Sequence, residues 1–323
     1  MPYSTLYVGT YTDGDSEGIY QYAFDTETGS LTAKKLVAML DNPSFLKISP
    51  DRKYLYAVQE TDNYDSLGGG ISAFEIAKDS LRFLNNESTA GKHPCHIGIS
   101  EDGEQLAVSN YTGGNLSIFQ LEEDGSLPRS RQIIDHKNLD STKVSHVHSA
   151  QFTPEGLFVA DLGLDAIKRY VKTDLGYAAA PQKSIDFPTK SGPRHFVFGQ
   201  EGKFMYVINE LNSTITVFKK NNNGVYNEIS AHSTVAAEFN GKSFCADIHL
   251  SKDGKFLYGS NRGENSIVVF SVNQETGDLA LVGHTPVEGD WPRNFTLDPT
   301  ENFLLVANQK SNNITVFKRD TGE

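Results

Sequence analysis

Several things are scarce in this sequence, and each scarcity excludes something. There are two cysteines in 323 residues, Cys95 and Cys245. That excludes a disulfide framework and fits a reducing compartment. No run approaches the roughly 18 apolar residues of a membrane span. The opening Met1-Pro2-Tyr3-Ser4-Thr5-Leu6-Tyr7-Val8 lacks the basic and apolar stretches of a secretory leader and reads as a strand. Cations are few: 29 Lys and Arg against 41 Asp and Glu, a net charge of −12. A general binder of nucleic acid or anionic membrane, whose affinity rests on clustered Lys and Arg, is excluded on that balance. Gly-X-Ser-X-Gly, His-Glu-X-X-His, P-loop and Cys-X-X-Cys motifs are all missing, which disfavours covalent serine hydrolysis and zinc-protease chemistry. Gly68-Gly69-Gly70 lies in a hairpin and lacks the strand-to-helix setting of a nucleotide fingerprint. No segment carries a convincing helical period. What is plentiful is aromatic: 19 Phe and 14 Tyr, too many for a disordered chain. The composition is that of a cytoplasmic globular protein.

One phrase recurs along the chain: a short apolar segment, a polar turn, an aromatic-aliphatic strand, then Asn or an acidic residue. It occupies Phe45–Glu60, Ile97–Asn110, Ala150–Asp161, Phe196–Glu210, Ile248–Arg262 and Phe295–Gln309. Equivalent positions Ser49, Ser100, Thr153, Gly199, Ser251 and Asp298 are 51, 53, 46, 52 and 47 residues apart. A period near 50 with four short strands per repeat is the signature of a β-propeller blade. We letter the strands A (innermost) to D (outermost). One repeat then has A at Phe45–Ile48, B at Tyr54–Val58, C at Ile71–Ile76 and D at Leu81–Asn85. In C, Ile71, Ala73 and Glu75 alternate with Ser72, Phe74 and Ile76, as a strand requires. The C–D turns at Asp25–Leu31, Glu123–Leu127 and Asn273–Leu279 each place Gly before a strand, where positive φ is needed.

The N-terminal segment supplies a further B at Thr5–Thr10, C at Ile19–Phe24 and D at Leu31–Met39. Its A strand would precede Met1, and the chain stops at Arg319–Glu323 inside an expected C–D turn. The expectation is one domain, 1–323: an all-β, seven-bladed propeller of four-stranded antiparallel blades around a central channel, its closing strands lacking at the C-terminus. By the spacing of the other repeats, about 15–20 further residues would close the ring.

In such a fold the start of A and the end of B meet at one mouth of the channel. Starts of A carry His93-Pro-Cys-His96, His146-Val-His148, Pro193-Arg-His195, Asp247-Ile-His249 and Pro292-Arg-Asn294. Ends of B carry Glu60, Asn110, Asp161, Asn209-Glu210, Asn261-Arg262 and Asn308-Gln309. Three of nine arginines and six of nine histidines fall on this rim of an acidic protein. Arginine forks match carboxylate and phosphate oxygens two at a time, so the rim predicts a small anionic ligand. Asn at the end of B recurs as a turn cap as readily as a ligand contact, and Glu210 is a counter-ion or a general base. His146 and His148, sharing a strand face, have metal-ligand spacing but no evident third ligand, so no metal is expected. Both cysteines read as packed thiols.

Ser191–Phe198, Tyr206–Asn212, Ala246–His249, Ser260–Arg262, His148-Ser149, Ala160–Leu162 and Ala307–Gln309 together resemble the seven-bladed propeller lactonases, the propeller-type 6-phosphogluconolactonases, over essentially the whole chain. Fungal carboxymuconate-lactonizing enzymes look like relatives with the same fold. The resemblance implies hydrolysis of 6-phospho-D-glucono-1,5-lactone to 6-phosphogluconate in the oxidative pentose phosphate pathway, without metal or organic cofactor. Similarity to the lactonizing branch points to His148, Arg194, Glu210 and Arg262 as the acid/base and anion-binding set, Glu210 or His148 activating water. His195, His249, Arg293, Gln309, Asn209 and Asp247 would complete substrate binding. The alternatives are action on another anionic lactone, such as carboxymuconolactone, and a non-enzymatic interaction scaffold.

Overall fold

The computed structural model describes residues 3–78 and 80–320, and among them there are 26 strands and no helix. Met1, Pro2 and the last three residues of the turn expected at Arg319–Glu323 lie outside the described residues. The strands form seven antiparallel sheets in chain order, five of four strands and two of three. The fold is a seven-bladed β-propeller. Blade 1 holds Tyr3–Val8, Gly18–Asp25 and Leu31–Met39, so its B strand begins and ends two residues earlier than the Thr5–Thr10 expected from the pattern. Blade 2 holds Leu46–Ile48, Tyr54–Gln59, Gly70–Ala77 and Ser80–Ser88, within three residues of the expected bounds. Blade 3 holds Pro94–Ile99, Gln105–Asn110, Asn115–Gln120 and Gln132–Asp135, and blade 4 holds Val147–Thr153, Gly156–Asp161, Ala166–Thr173 and Gly176–Asp186. Blade 5 holds Pro193–Gly199, Phe204–Asn209, Thr214–Lys220 and Tyr226–Ser233, and blade 6 holds Phe244–Leu250, Phe256–Arg262, Ser266–Val272 and Leu279–Pro286. Blade 7 holds Pro292–Leu297, Phe303–Asn308 and Asn313–Lys318. The chain divides into two compact units, the first built from Thr5–Ala23 and Leu31–Ser184, the second from Phe24–Ser30 and from Ile185 onward.

The polar turn of the repeat has a physical basis. Ser49 Oγ donates to Asp51 Oδ1 (2.6 Å) and accepts from the Tyr54 amide (3.0 Å). Ser100 does the same with Asp102 and Gln105, and Ser251 with Asp253 and Phe256. In blade 7 Asp298 takes over, accepting from Thr300 Oγ1 and from the Phe303 amide. Each device ties the A–B turn to the first residue of strand B.

There is no single core. In the first unit Tyr56 and Val58 pack with Ile97, Val108 and Phe119 of blade 3, whereas Leu55 and Ala57 pack with Ile19 of blade 1. In the second unit Leu257 and Val268 join a layer with blade 5 residues Tyr206 and Ile208, while Tyr258 and Ile267 join one with Phe295 and Val306 of blade 7. Alternate residues thus serve opposite neighbours. Ile71, Ser72, Ala73 and Phe74 are all buried although they alternate, because both faces of the sheet are covered. Each fully buried large side chain contributes about 1.5–3 kcal/mol.

Glycine in the C–D turn is positioned by the same packing. Gly277 has φ +82°, and a Cβ there would collide with the Phe204 ring at the start of strand B in blade 5. Gly29 lies under Phe303 and Gly125 under Tyr54 in the same way. Gly224, at φ +76°, has open space around it. Gly277→Ala is therefore expected to cost about 2–4 kcal/mol, through strain plus overpacking, and Gly224→Ala only about 1 kcal/mol. Urea unfolding of the two variants checks this; equal losses would remove the packing argument.

Candidate active site

The side chains that the rim analysis singled out reach their places through a repeated irregularity. In blade 5 Pro193 pairs with Asn209 and His195 with Ile208, so Arg194 is an extra residue without a ladder partner. Arg293 is the extra residue in blade 7, between Pro292↔Asn308 and Asn294↔Ala307. Cys95 in blade 3 and His148 in blade 4 stand at the same point. In blade 6 the interruption falls between Cys245 and Ile248, and so takes in Asp247. A β-bulge re-aims its extra side chain and frees it from the pleat. Before the proline, Gly192 and Trp291 both take left-handed backbone, with φ +67° and +68°. Glycine adopts that conformation at no steric cost; at Trp291 it is strain held by the surroundings, including amide bonds from Trp291 to Asn265 Oδ1 and from Gln309 to the Trp291 carbonyl.

In the second unit these residues form one continuous chain of polar contacts. His249 Nε2 donates to Asp247 Oδ2 (3.0 Å), and His195 Nδ1 donates to Asp247 Oδ1 (2.8 Å). His195 Nε2 lies 3.5 Å from Arg194 Nη1. Arg194 Nε pairs with Glu210 Oε2 at 3.0 Å, and Arg262 Nη2 pairs with the same oxygen at 2.7 Å. Backbone carbonyls take further guanidinium hydrogens: Ala246 from Arg194, and Phe244 and Cys245 from Arg262. The Arg262 guanidinium lies 5.4 Å over the Trp291 ring, and Lys310 Nζ lies 3.3 Å over it.

Burial sets the electrostatics. Arg194 is only 2% exposed, and desolvation, helped by the charges of Arg262 and Arg293, lowers its pKa to about 10. It remains a cation near neutrality. Arg262 is lowered too, by burial first, with Glu210 opposing. Burial and the Arg194 charge push His195 down from 6.5 to about 4, against the pull of Asp247, so its imidazole is neutral with Nε2 as an acceptor. Desolvation alone would raise Asp247, but the two imidazoles and their hydrogen bonds hold it well below the usual carboxylate range. Burial drives the Cys245 thiol up to about 12, which leaves it a packed thiol, as expected.

Two of the expected ligand contacts bond to other side chains of the protein. Asn209 is fully buried and its Nδ2 donates to the Thr214 and Thr216 hydroxyls, so it braces the B–C turn. Asp247 is 4% exposed, with both oxygens engaged by His195, His249 and Asn294 Nδ2, so it orients other side chains. Gln309 has an exposed side chain, and Arg293 is half-buried. His148 belongs to the first unit. It is 3% exposed, with Nδ1 3.8 Å from Cys95 Sγ and its ring edge-on to Tyr111. Both imidazoles meet the same ring: His146 stacks on Tyr111 at 4.4 Å, and the His148 centroid lies 5.6 Å from it. Among the described residues no three His, Cys, Asp or Glu side chains are grouped to hold a metal. Sequence reasoning missed Trp291 and the Asp247 hub. The available signal was the period itself: His195 and Asp247 are 52 residues apart, one repeat, and so are Arg194 and Ala246.

Fold and site together define a class. The chain belongs to the seven-bladed β-propeller lactonases: residues 5–323 match the family described as Lactonase, 7-bladed beta-propeller. It is 37% identical over 322 residues to the 6-phosphogluconolactonase of Bacillus subtilis, covering 97% of this chain and 90% of that protein. Identity to the 6-phosphogluconolactonase of Formosa agariphila is 40%, covering 98% and 92%. The solved periplasmic gluconolactonase of Pseudomonas aeruginosa matches with a TM-score of 0.91 at 34% identity, covering 98% and 92%.

The neutral state of His195 has a consequence for stability. The unfolded chain protonates this histidine below 6.5, whereas the folded chain resists until about 4. Between those values the unfolded state binds more protons, so stability is lost as pH falls. His195→Gln is expected to flatten the decline from pH 6.5 to 4 in urea unfolding midpoints; curves parallel to the parent's would assign that decline elsewhere.

Proposed function

We propose that this protein hydrolyses 6-phospho-D-glucono-1,5-lactone to 6-phosphogluconate. The observation that carries the reading is the convergence of two buried guanidinium groups, Arg194 and Arg262, on Glu210, with the charge of Arg293 acting on both. Support comes also from relatives named 6-phosphogluconolactonase at 37–40% identity over nearly the whole chain. A lactone is a cyclic ester. Water attacks its carbonyl carbon, negative charge grows on the carbonyl oxygen, and the ring C–O bond then breaks. Preorganised cations in a water-poor site stabilise that charge without reorganisation during the reaction. Arginine forks also suit the phosphate of the substrate. Glu210 holds the two forks in register and compensates their burial, since guanidinium groups this poorly solvated need a carboxylate partner. The setting that fits two buried cysteines held as thiols is the cytoplasm.

A second reading has a specific observation behind it. The Pseudomonas aeruginosa neighbour is titled a gluconolactonase, whose name carries no phosphate. Initial rates on 6-phosphogluconolactone, gluconolactone and carboxymuconolactone, each corrected for spontaneous opening, separate the readings. The phosphorylated lactone is expected to give the highest kcat/KM; equal or better turnover of gluconolactone would overturn the phosphate assignment. Arg194→Ala is expected to lower kcat/KM on the phospholactone by about 10²–10³-fold. Glu210→Gln should lower both kcat/KM and stability, the latter by about 3 kcal/mol, because two buried cations lose their partner. Parental kcat/KM in both variants, with the fold intact by circular dichroism, would sink the site assignment.

A further inference from the structure

Hydrolysis of a lactone needs a group that takes a proton from water, and the arginine cluster supplies none. Glu210 faces two guanidinium groups, Arg194 and Arg262, both bound through Oε2, and its side chain is only 16% exposed. His148 is nearly inaccessible, at 3% exposed. His249 differs from both. It lies on the innermost strand of its blade, Phe244–Leu250, and its side chain is 36% exposed. Its Nε2 hydrogen is held by Asp247 Oδ2 at 3.0 Å. Among the described residues no hydrogen bond reaches its Nδ1. The ring stands edge-on to Phe295, with centroids 4.7 Å apart, which fixes its plane.

We infer that His249 is the general base of this site and that Asp247 is its positioning residue. This deepens the lactonase reading and rests on it. A carboxylate on one imidazole nitrogen sets the tautomer, so the other nitrogen presents its lone pair, and it stabilises the imidazolium formed when that lone pair takes a proton. Asp247 is built for this. It is buried, its backbone amide is tied to Ser260 Oγ (3.0 Å), and Asn294 Nδ2 adds a hydrogen bond to Oδ2 (2.6 Å). Its other oxygen holds His195, which contacts Arg194. One carboxylate thus joins the base to the cationic cluster.

The step balances as follows. His249 Nδ1 takes a proton from water as the water oxygen bonds to the carbonyl carbon and the carbonyl π pair moves onto oxygen. That pair returns, the bond from carbon to the ring oxygen breaks, and the imidazolium gives its proton to the leaving alkoxide. The products are a hydroxyl group and a carboxylic acid, which ionises to solvent. No oxidant, reductant or metal takes part.

The experiment is steady-state hydrolysis of 6-phosphogluconolactone by the full chain, corrected for the enzyme-free rate. His249→Gln is expected to lower kcat by about 10²–10⁴-fold with little change in KM. His249→Ala should fall similarly and recover part of its rate when free imidazole is added, an effect that a merely structural histidine would not give. Asp247→Asn should lower kcat less than His249→Gln and leave the imidazole rescue of the His249→Ala variant weaker when the two are combined. A His249→Gln enzyme with parental kcat, or one that loses only KM, overturns the inference while leaving the lactonase reading intact. A parent chain that does not exceed the enzyme-free rate on any of the three lactones overturns the reading itself, and the inference with it.

Discussion

Each blade of this protein is apolar on both faces, and a sheet of that kind is stable only between two others. Leu55 and Ala57 face one neighbour, while Tyr56 and Val58 face the other. Middle strands such as Phe204–Asn209 are consequently apolar almost throughout and wholly buried. This constraint leaves little freedom inside a blade. Polar and charged chemistry is displaced to strand ends, where one sheet no longer covers the next. The cationic cluster sits at such ends: Arg194 and His195 at the start of one inner strand, Asp247 and His249 on another, Glu210 and Arg262 where second strands finish.

Burying that much charge is feasible because it is compensated locally. Glu210 answers two guanidinium groups through one oxygen, and backbone carbonyls of Phe244, Cys245 and Ala246 take further hydrogens. The Ala246 carbonyl lies within the interruption of the ladder between Cys245 and Ile248. The irregularity that takes in Asp247 thus also supplies an acceptor for Arg194. Neutral His195, between Arg194 and Asp247, adds no further positive charge beside Arg194.

Much of the fold was legible because each repeat states the same rule. The Ser–Asp turn, the aromatic start of strand B and the glycine of the C–D turn are local, and each performs a local task. The N-terminal strand was placed two residues late, since Thr5–Thr10 alternates as well as Tyr3–Val8 does and nothing in the pattern fixes its end. At the site, the residue types and their gathering at strand ends could be read, but their division of labour could not. Asn209 and Asp247 resemble ligand contacts in one dimension; burial and hydroxyls of the adjoining strand engage Asn209, and histidines of two blades engage Asp247. The bulges were invisible because a two-residue alternation carries no mark of an inserted residue. Trp291 gave no signal, as its role depends on Arg262 approaching from another blade.

The bulged position recurs in four blades with three kinds of occupant: Cys95, His148, and the arginines Arg194 and Arg293. Having no ladder partner, such a residue carries no pairing duty in its own sheet. The fold therefore works as a set of sockets, each holding a side chain that can be exchanged while the strand on either side keeps its register. A thiol, an imidazole and two guanidinium groups already fit the same socket. New substrate preferences could arise in this architecture one socket at a time, with the stacked blades as an unchanged chassis.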